Sequence, residues 1–155
     1  MDRDYEDWTE NLAETLANDG HGLAVITLAR YRDTAGRDKI LETARGIADA
    51  AGWHIHEISA PLVSKYLYEL PTQGFLILRD VDVPLPHGAS LVPALFQLMV
   101  QKGYPVALFI VGTVPGIRAL LRHPGLGFLS RSEFVTQPSD EGNHAPPADA
   151  PERRP

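Results

Sequence analysis

The sequence predicts a three-layer α/β domain built on a mostly parallel sheet of about five strands. Three observations predict it. Short, near-continuous apolar runs (LAVITL, FLIL, PVALFIV) recur along the chain, and strands this apolar belong to sheets covered on both faces. Stretches with helical spacing of apolar residues alternate with them. Glycine, proline and Asx residues punctuate the boundaries between the two kinds of segment.

The elements follow in order. Asp4 to Ala17 reads as a helix, with Tyr5, Trp8, Leu12 and Leu16 on one stripe and an acidic outer face. Asn18-Asp19-Gly20 stops it. Leu23 to Leu28 is a buried strand, and Arg30 to Gly36 is a polar connection. Arg37 to Ala51 is a helix with Ile40, Leu41, Ala44, Ile47 and Ala48 on one face, closed by Gly52. Trp53 to Ser59 alternates as a strand does, and Pro61 opens a short helix over Ala60 to Leu70. Phe75 to Leu78 is a second buried strand that runs out into Arg79-Asp80-Val81-Asp82. Pro84, Pro86 and Gly88 make a loop before a helix over Ala89 to Lys102, in which Leu91, Leu95, Leu98 and Met99 are expected to face inward. Pro105 to Val111 is a third buried strand and Pro115 to Arg122 a helix. Gly127 to Val135 holds a last helical turn and an edge strand. The organisation is an acidic N-terminal helix over 1–20, the α/β domain over 21–136, and a tail over 137–155 that carries five prolines and is expected to be disordered.

Composition narrows the function classes. A chain of 155 residues with 44% hydrophobic residues fits one globular domain. No apolar run approaches the length of a membrane-spanning helix. The acidic, polar start lacks the basic and apolar regions of a secretory signal, so a cytoplasmic location is expected. The absence of cysteine excludes disulfides, thiolate zinc sites and a cysteine nucleophile. A formal charge of −6 argues against a broad nucleic-acid footprint. In parallel sheets ligands sit at the carboxyl ends of the strands, which directs attention to Arg30 to Asp38, Asp80 to Asp82, and Gly112-Thr113.

Four segments, taken in order, resemble the AAA-type P-loop ATPases, in particular bacterial ones related to the origin-recognition and STAND groups. GRDKILETARGIADAAGW (Gly36 to Trp53) is similar to the helix after a phosphate loop. GFLILRDVD (Gly74 to Asp82) is similar to a Walker B strand. PVALFIVGTVPGIRALL (Pro105 to Leu121) resembles the sensor-1 strand and its helix, and HPGLGFLSRSEFV (His123 to Val135) the segment that bears the arginine finger. The resemblance covers about Gly22 to Val135 and implies a P-loop NTPase-like fold. It also implies ATP or ADP with magnesium as cofactor, nucleotide contacts from Gly36, Arg37, Asp38, Asp80 and Thr113, a magnesium ligand in Asp80, and another protein subunit as partner.

The chain departs from the family pattern where the chemistry lies. A phosphate loop requires G-x-x-x-x-G-K-[ST], because its backbone amides must curl around the phosphates. Tyr31 to Asp38 keeps only Gly36, with Arg37 at the lysine position and Asp38 at the magnesium-binding hydroxyl position. Arginine is not a simple substitute for lysine there, and Asp38 repels phosphate. Val81 occupies the general-base position and cannot accept a proton; loss of such a base costs about 10²–10⁴ in rate. Arg131 stands at the finger position, where it would act on a neighbour's nucleotide. The proline-rich tail replaces the helical lid. The expectation is therefore a degenerate ATPase-like domain with weak or no hydrolysis that acts through protein contacts. The alternatives are a nucleotide-independent interaction module and a divergent active ATPase.

Other constellations are weaker. His54 and His56 share one side of a strand, and a metal there needs a third ligand such as His87. Gly88-Ala89-Ser90 lacks the frame of a serine-hydrolase elbow. Asp80 and Asp82 form a carboxylate pair that could hold magnesium without a phosphate loop. Arg118, Arg122, His123 and Arg131 make a basic patch suited to an acidic partner or phosphate, with a solvated face as the default.

Overall fold

A computed structural model describes residues 2–17, 25–65 and 70–137. The elements are β1 (Asp2–Arg3), α1 (Tyr5–Ala17), β2 (Val25–Tyr31), α2 (Thr34–Ala50), β3 (Ile55–Ser59), a 3₁₀ segment (Ala60–Lys65), β4 (Gly74–Val81), α3 (Leu91–Gln101), β5 (Val106–Thr113), α4 (Val114–Leu121), a second 3₁₀ segment (Gly127–Arg131) and β6 (Glu133–Thr136). The sheet order is β1-β6-β2-β5-β4-β3, and every pairing is parallel. The α/β fold on a parallel sheet of five main strands is as the sequence predicts; the two-residue β1 is added at one edge.

Strand periodicity divides the core. Along β5, Ala107, Phe109 and Val111 join one cluster, while Leu108 and Ile110 join the other. A strand buried on both sides must be apolar at every position, which is why PVALFIV shows no alternation. On one face α1 and α2 bury Trp8, Leu12, Leu16, Ile40 and Ala44 against that first set. Trp8 stacks on Phe109 at 5.4 Å between ring centroids. On the other face α3, α4 and the 3₁₀ segments supply Val92, Phe96, Ile117, Leu120 and Leu129.

Several boundaries differ from expectation. The segment expected as a helix over Ala60 to Leu70 is 3₁₀ as far as Lys65, and residues 66–69 lie outside the described residues. In α3 the buried residues are Val92, Pro93, Phe96 and Met99, whereas Leu91 and Leu98 are exposed. Leu91, Leu95 and Leu98 form one i, i+4, i+7 stripe; Val92, Phe96 and Met99 form another, one position round the helix. Both are apolar, so periodicity alone does not choose between them. The tail beyond Gln137 lies outside the described residues.

Candidate functional site

The connection from β2 to α2 is short. β2 continues to Tyr31, paired with Thr113 of β5, and α2 begins at Thr34. Only Arg32 and Asp33 lie between them, in place of the polar loop expected over Arg30 to Gly36. Asp33 caps the helix: its Oδ1 accepts from Gly36 N at 2.7 Å, satisfying one of the orphan amides of the first turn. Gln137, just past β6, fills the remaining space. Its Oε1 accepts from Arg32 N and Asp33 N, its Nε2 donates to Asp33 Oδ1 at 3.3 Å, and its own N donates to Arg30 O at 2.9 Å. A Cβ on Gly36 would collide with the end of the Gln137 side chain. Gly36 therefore lies inside the first turn of α2, against Gln137.

The end of β4 carries the second group. Leu78 pairs with Ile110 and Val81 with Gly112, so one extra residue is accommodated between them. Asp80 takes a left-handed conformation there, with φ of 62°, as in a β-bulge. Without the bulge Asp80 would face α3. With it, Arg79 and Asp80 both turn toward α2, and Val81 returns to the α3–α4 core, fully buried. Asp80 accepts from Ser59 Oγ at 2.9 Å and from Arg79 Nη1 at 2.7 Å, and Arg37 Nη1 stands 3.5 Å from its other oxygen. Arg37 also pairs with Asp38 at 3.1 Å. Asp82 leaves the strand and accepts from Thr113 Oγ1 at 2.7 Å and from Val83 N. The Thr113 oxygen in turn caps α4 by accepting from Gly116 N at 3.0 Å. A side chain on Gly116 would strike the Val81 carbonyl, so α4 can start this close to β4 only with glycine there.

Gly36, Arg37, Asp38, Asp80 and Thr113 thus converge at the carboxyl ends of β2, β4 and β5. Tyr31, Arg32, Asp33, Thr34, Arg37 and Thr113 line a small cleft of about 190 Å³. Burial, and then the negative charge of Asp80, raises the Tyr31 hydroxyl above its ordinary value, so it stays a neutral donor. The Arg37 guanidinium is raised too, first by its hydrogen bond to Asp38. The chain of charges continues to the sheet edge. Arg45 binds Glu57 through two bonds of 2.7 and 2.8 Å. Arg79 Nε lies 2.9 Å from Glu57 as an ion pair without hydrogen-bond alignment. Glu57 is accordingly held below its ordinary value, chiefly by the Arg45 bond.

Other candidates lie apart. Arg131 is exposed at the end of a 3₁₀ segment, two residues before β6 begins, and so at the amino-terminal side of the sheet. The His54 and His56 rings are 4.5 Å apart, but among the described residues no three His, Asp or Glu side chains come together as a metal site. Ser90 starts α3 without capping it. Arg118, Arg122 and His123 are exposed around the end of α4. Among the described residues no helix is long and apolar enough to cross a membrane. Sequence reasoning missed Asp33, Ser59 and Gln137 at the site. Asp33 had a signal, an Asx residue before an apolar-periodic run. Gln137 had none, because its partners are more than a hundred positions away.

No known protein family matches the sequence, and no curated protein does. Solved structures match its fold. The RuvB Holliday junction branch migration motor of Thermotoga maritima aligns with a TM-score of 0.53 and 18% identity, over 84% of this chain and 42% of the RuvB chain. The ORC2 protein of Aeropyrum pernix, solved in ADPNP and ADP complexes, aligns with a TM-score of 0.55 and 15% identity, over 86% of this chain and 47% of its own. Both have AAA+ P-loop ATPase-like folds, and the chain shares that fold while spanning less than half of either protein.

Proposed function

We propose that this P-loop ATPase-like fold serves, in the cytoplasm, as a domain that does not turn over nucleotide and acts through contacts with another protein subunit. The observation that carries the reading is the two-residue connection between Tyr31 and Thr34. A phosphate cradle needs a run of backbone amides free to curl around an anion. Here Gly36 N bonds to Asp33, while Arg32 N and Asp33 N bond to Gln137. Arg37, the cation at the lysine position, is engaged by Asp38 and Asp80 and is not held out toward a polyphosphate. The residues present do not fit a magnesium nucleotide held as in a phosphate loop. Val81, buried in the core, offers no base for water.

A thermal-shift titration with ATP and ADP, with and without magnesium, tests this. A ligand at about 100 times its Kd stabilises a fold by roughly 2.7 kcal/mol, so binding is visible as a shift in Tm. The expected result is no shift at millimolar nucleotide. A magnesium-dependent shift that disappears in Asp80→Ala would overturn the reading in favour of a divergent working site built on Arg37 and Asp80.

A further inference from the structure

His54 and His56 take no part in the cleft. His54 leads into β3 and His56 is the second residue of that strand, so their side chains share one side of it. Glu57 takes the other side, where Arg45 of α2 binds it. The two imidazole centroids are 4.5 Å apart and the rings are inclined at 59°, so they are not stacked. Among the described residues neither ring has a hydrogen-bond or ion-pair partner.

The start of β4 holds the pair in place. Phe75 N donates to the His54 carbonyl at 2.8 Å. The His56 ring lies over Gly74, where a Cβ would stand 3.0 Å from the ring's Cδ2 and 2.7 Å from the His54 carbonyl. A side chain at position 74 would therefore push the ring out of its seat. His54 is exposed. His56 is half-buried and borders an open trough of about 550 Å³ along β3, which leaves room for an ion and its water. Burial, then the neighbouring His54, holds His56 below its ordinary value of 6.5, so its ring is neutral at neutral pH and keeps a lone pair free.

From this pair of unpartnered, pre-positioned rings we infer that His54 and His56 form a bidentate site for a borderline divalent transition-metal ion, such as Zn²⁺ or Cu²⁺, with water in the remaining positions. No third His, Asp or Glu among the described residues joins them. The site is therefore not the closed structural kind, which takes four protein ligands, but an open and exchangeable one. Two imidazoles bound through nitrogens about 2.0–2.1 Å from one ion have ring centres roughly 5 Å apart. The observed spacing of 4.5 Å reaches that value by a small rotation of either side chain. Imidazole suits zinc, copper and nickel, whereas magnesium and calcium prefer oxygen. The pair stands at the start of β3, away from Asp80 at the end of β4, so the site does not depend on what the cleft binds.

The test titrates the full chain at neutral pH with Zn²⁺, Cu²⁺ or Mg²⁺ alone, by calorimetry, and follows the histidine side-chain NMR signals during the zinc titration. The expected result is one zinc per chain, with the His54 and His56 signals shifting together. Cu²⁺ should bind more tightly than Zn²⁺, and an equal concentration of Mg²⁺ should not displace zinc. His54→Gln and His56→Gln should each weaken zinc binding at least about tenfold, because the second imidazole no longer binds intramolecularly. His87→Gln should change nothing. Circular dichroism checks that each variant folds, and His54→Gln alters only an exposed ring, so it carries the test if His56→Gln does not fold. Unchanged zinc affinity in either folded variant, shifts confined to the other histidines, or no binding at millimolar zinc overturns the inference. Displacement by equal Mg²⁺ overturns it too, pointing to a carboxylate site. One zinc per two chains also overturns it, assigning the imidazoles to a site shared between copies.

Discussion

Gly36 has no room for a methyl group because the Gln137 amide lies against it. This contact yields a prediction at the scale of two atoms. Alanine is favoured over glycine in a helix by about 1 kcal/mol. A Cβ at position 36 must also expel Gln137, whose hydrogen bonds are worth about 0.5–1.5 kcal/mol each, net. Gly36→Ala should therefore be neutral or destabilising in the wild-type chain, and stabilising once Gln137→Ala has emptied the space. Urea denaturation of the two single variants and the double variant measures the coupling, expected to be about 1 kcal/mol. The same effect in both backgrounds would show that Gln137 does not occupy that space. At this scale the sequence was partly legible. Gly36 stood out, but as the relic of a phosphate loop; its actual neighbour is supplied by a residue 101 positions later (137 − 36), and no local pattern encodes that pairing. Asp80 was legible as the acid at the end of its strand. Its left-handed φ was not, since Asp is only one of several residues that tolerate that conformation.

Among the elements, α3 and β4 show where periodicity suffices and where it fails. The hydrophobic run of β4 announces a buried strand, yet the bulge that aims Arg79 and Asp80 to the same side leaves no mark in the run itself. In α3 two adjacent apolar stripes compete, and packing settles which one enters the core. Phe96→Ala should cost about 3–5 kcal/mol, the usual range for a fully buried aromatic. Leu98→Lys, on the exposed stripe, should stay within about 0.5 kcal/mol. Chemical denaturation of both variants checks the assignment, and the reverse order of effects would place the leucine stripe inward. The connection between β2 and α2 shrank for a related reason. Arg30 and Tyr31 are polar enough to read as loop, but partners across β5 and β6 keep them in the sheet.

For the whole molecule, acidification should act in two stages. Burial, then the neighbouring His54, pulls His56 below its ordinary value of 6.5. The unfolded chain therefore binds that proton more readily, and the stability concerned is complete above 6.5 and declines as pH falls below it. Glu57 is held below its ordinary value of 4.5, chiefly by Arg45. Its contribution is complete above 4.5 and is lost as pH falls further, through the folded-state value. Tm measured against pH should decline in both windows. His56→Gln should flatten the first and Arg45→Gln the second; a profile unchanged by either substitution would refute the assignment. The α/β class and its parallel sheet were legible because doubly buried strands must be apolar throughout, and the solved structures of the same fold agree. The order of the strands was not, since three of the five pairings in this sheet join strands that are not consecutive in the sequence.

That order bears on how the chain reaches its native state. β2, near the beginning, is flanked by β5 and β6, so its partners start only at Val106 and Glu133. While the chain is being synthesised, the apolar surface of α1 and α2 must wait for the middle of the sheet to emerge. Pairings of such long sequence separation fold slowly and leave sticky intermediates exposed. A nascent chain halted before β5 would hold β2 on one side and the β3–β4 pair on the other with no strand to join them, leaving apolar edges exposed to a chaperone.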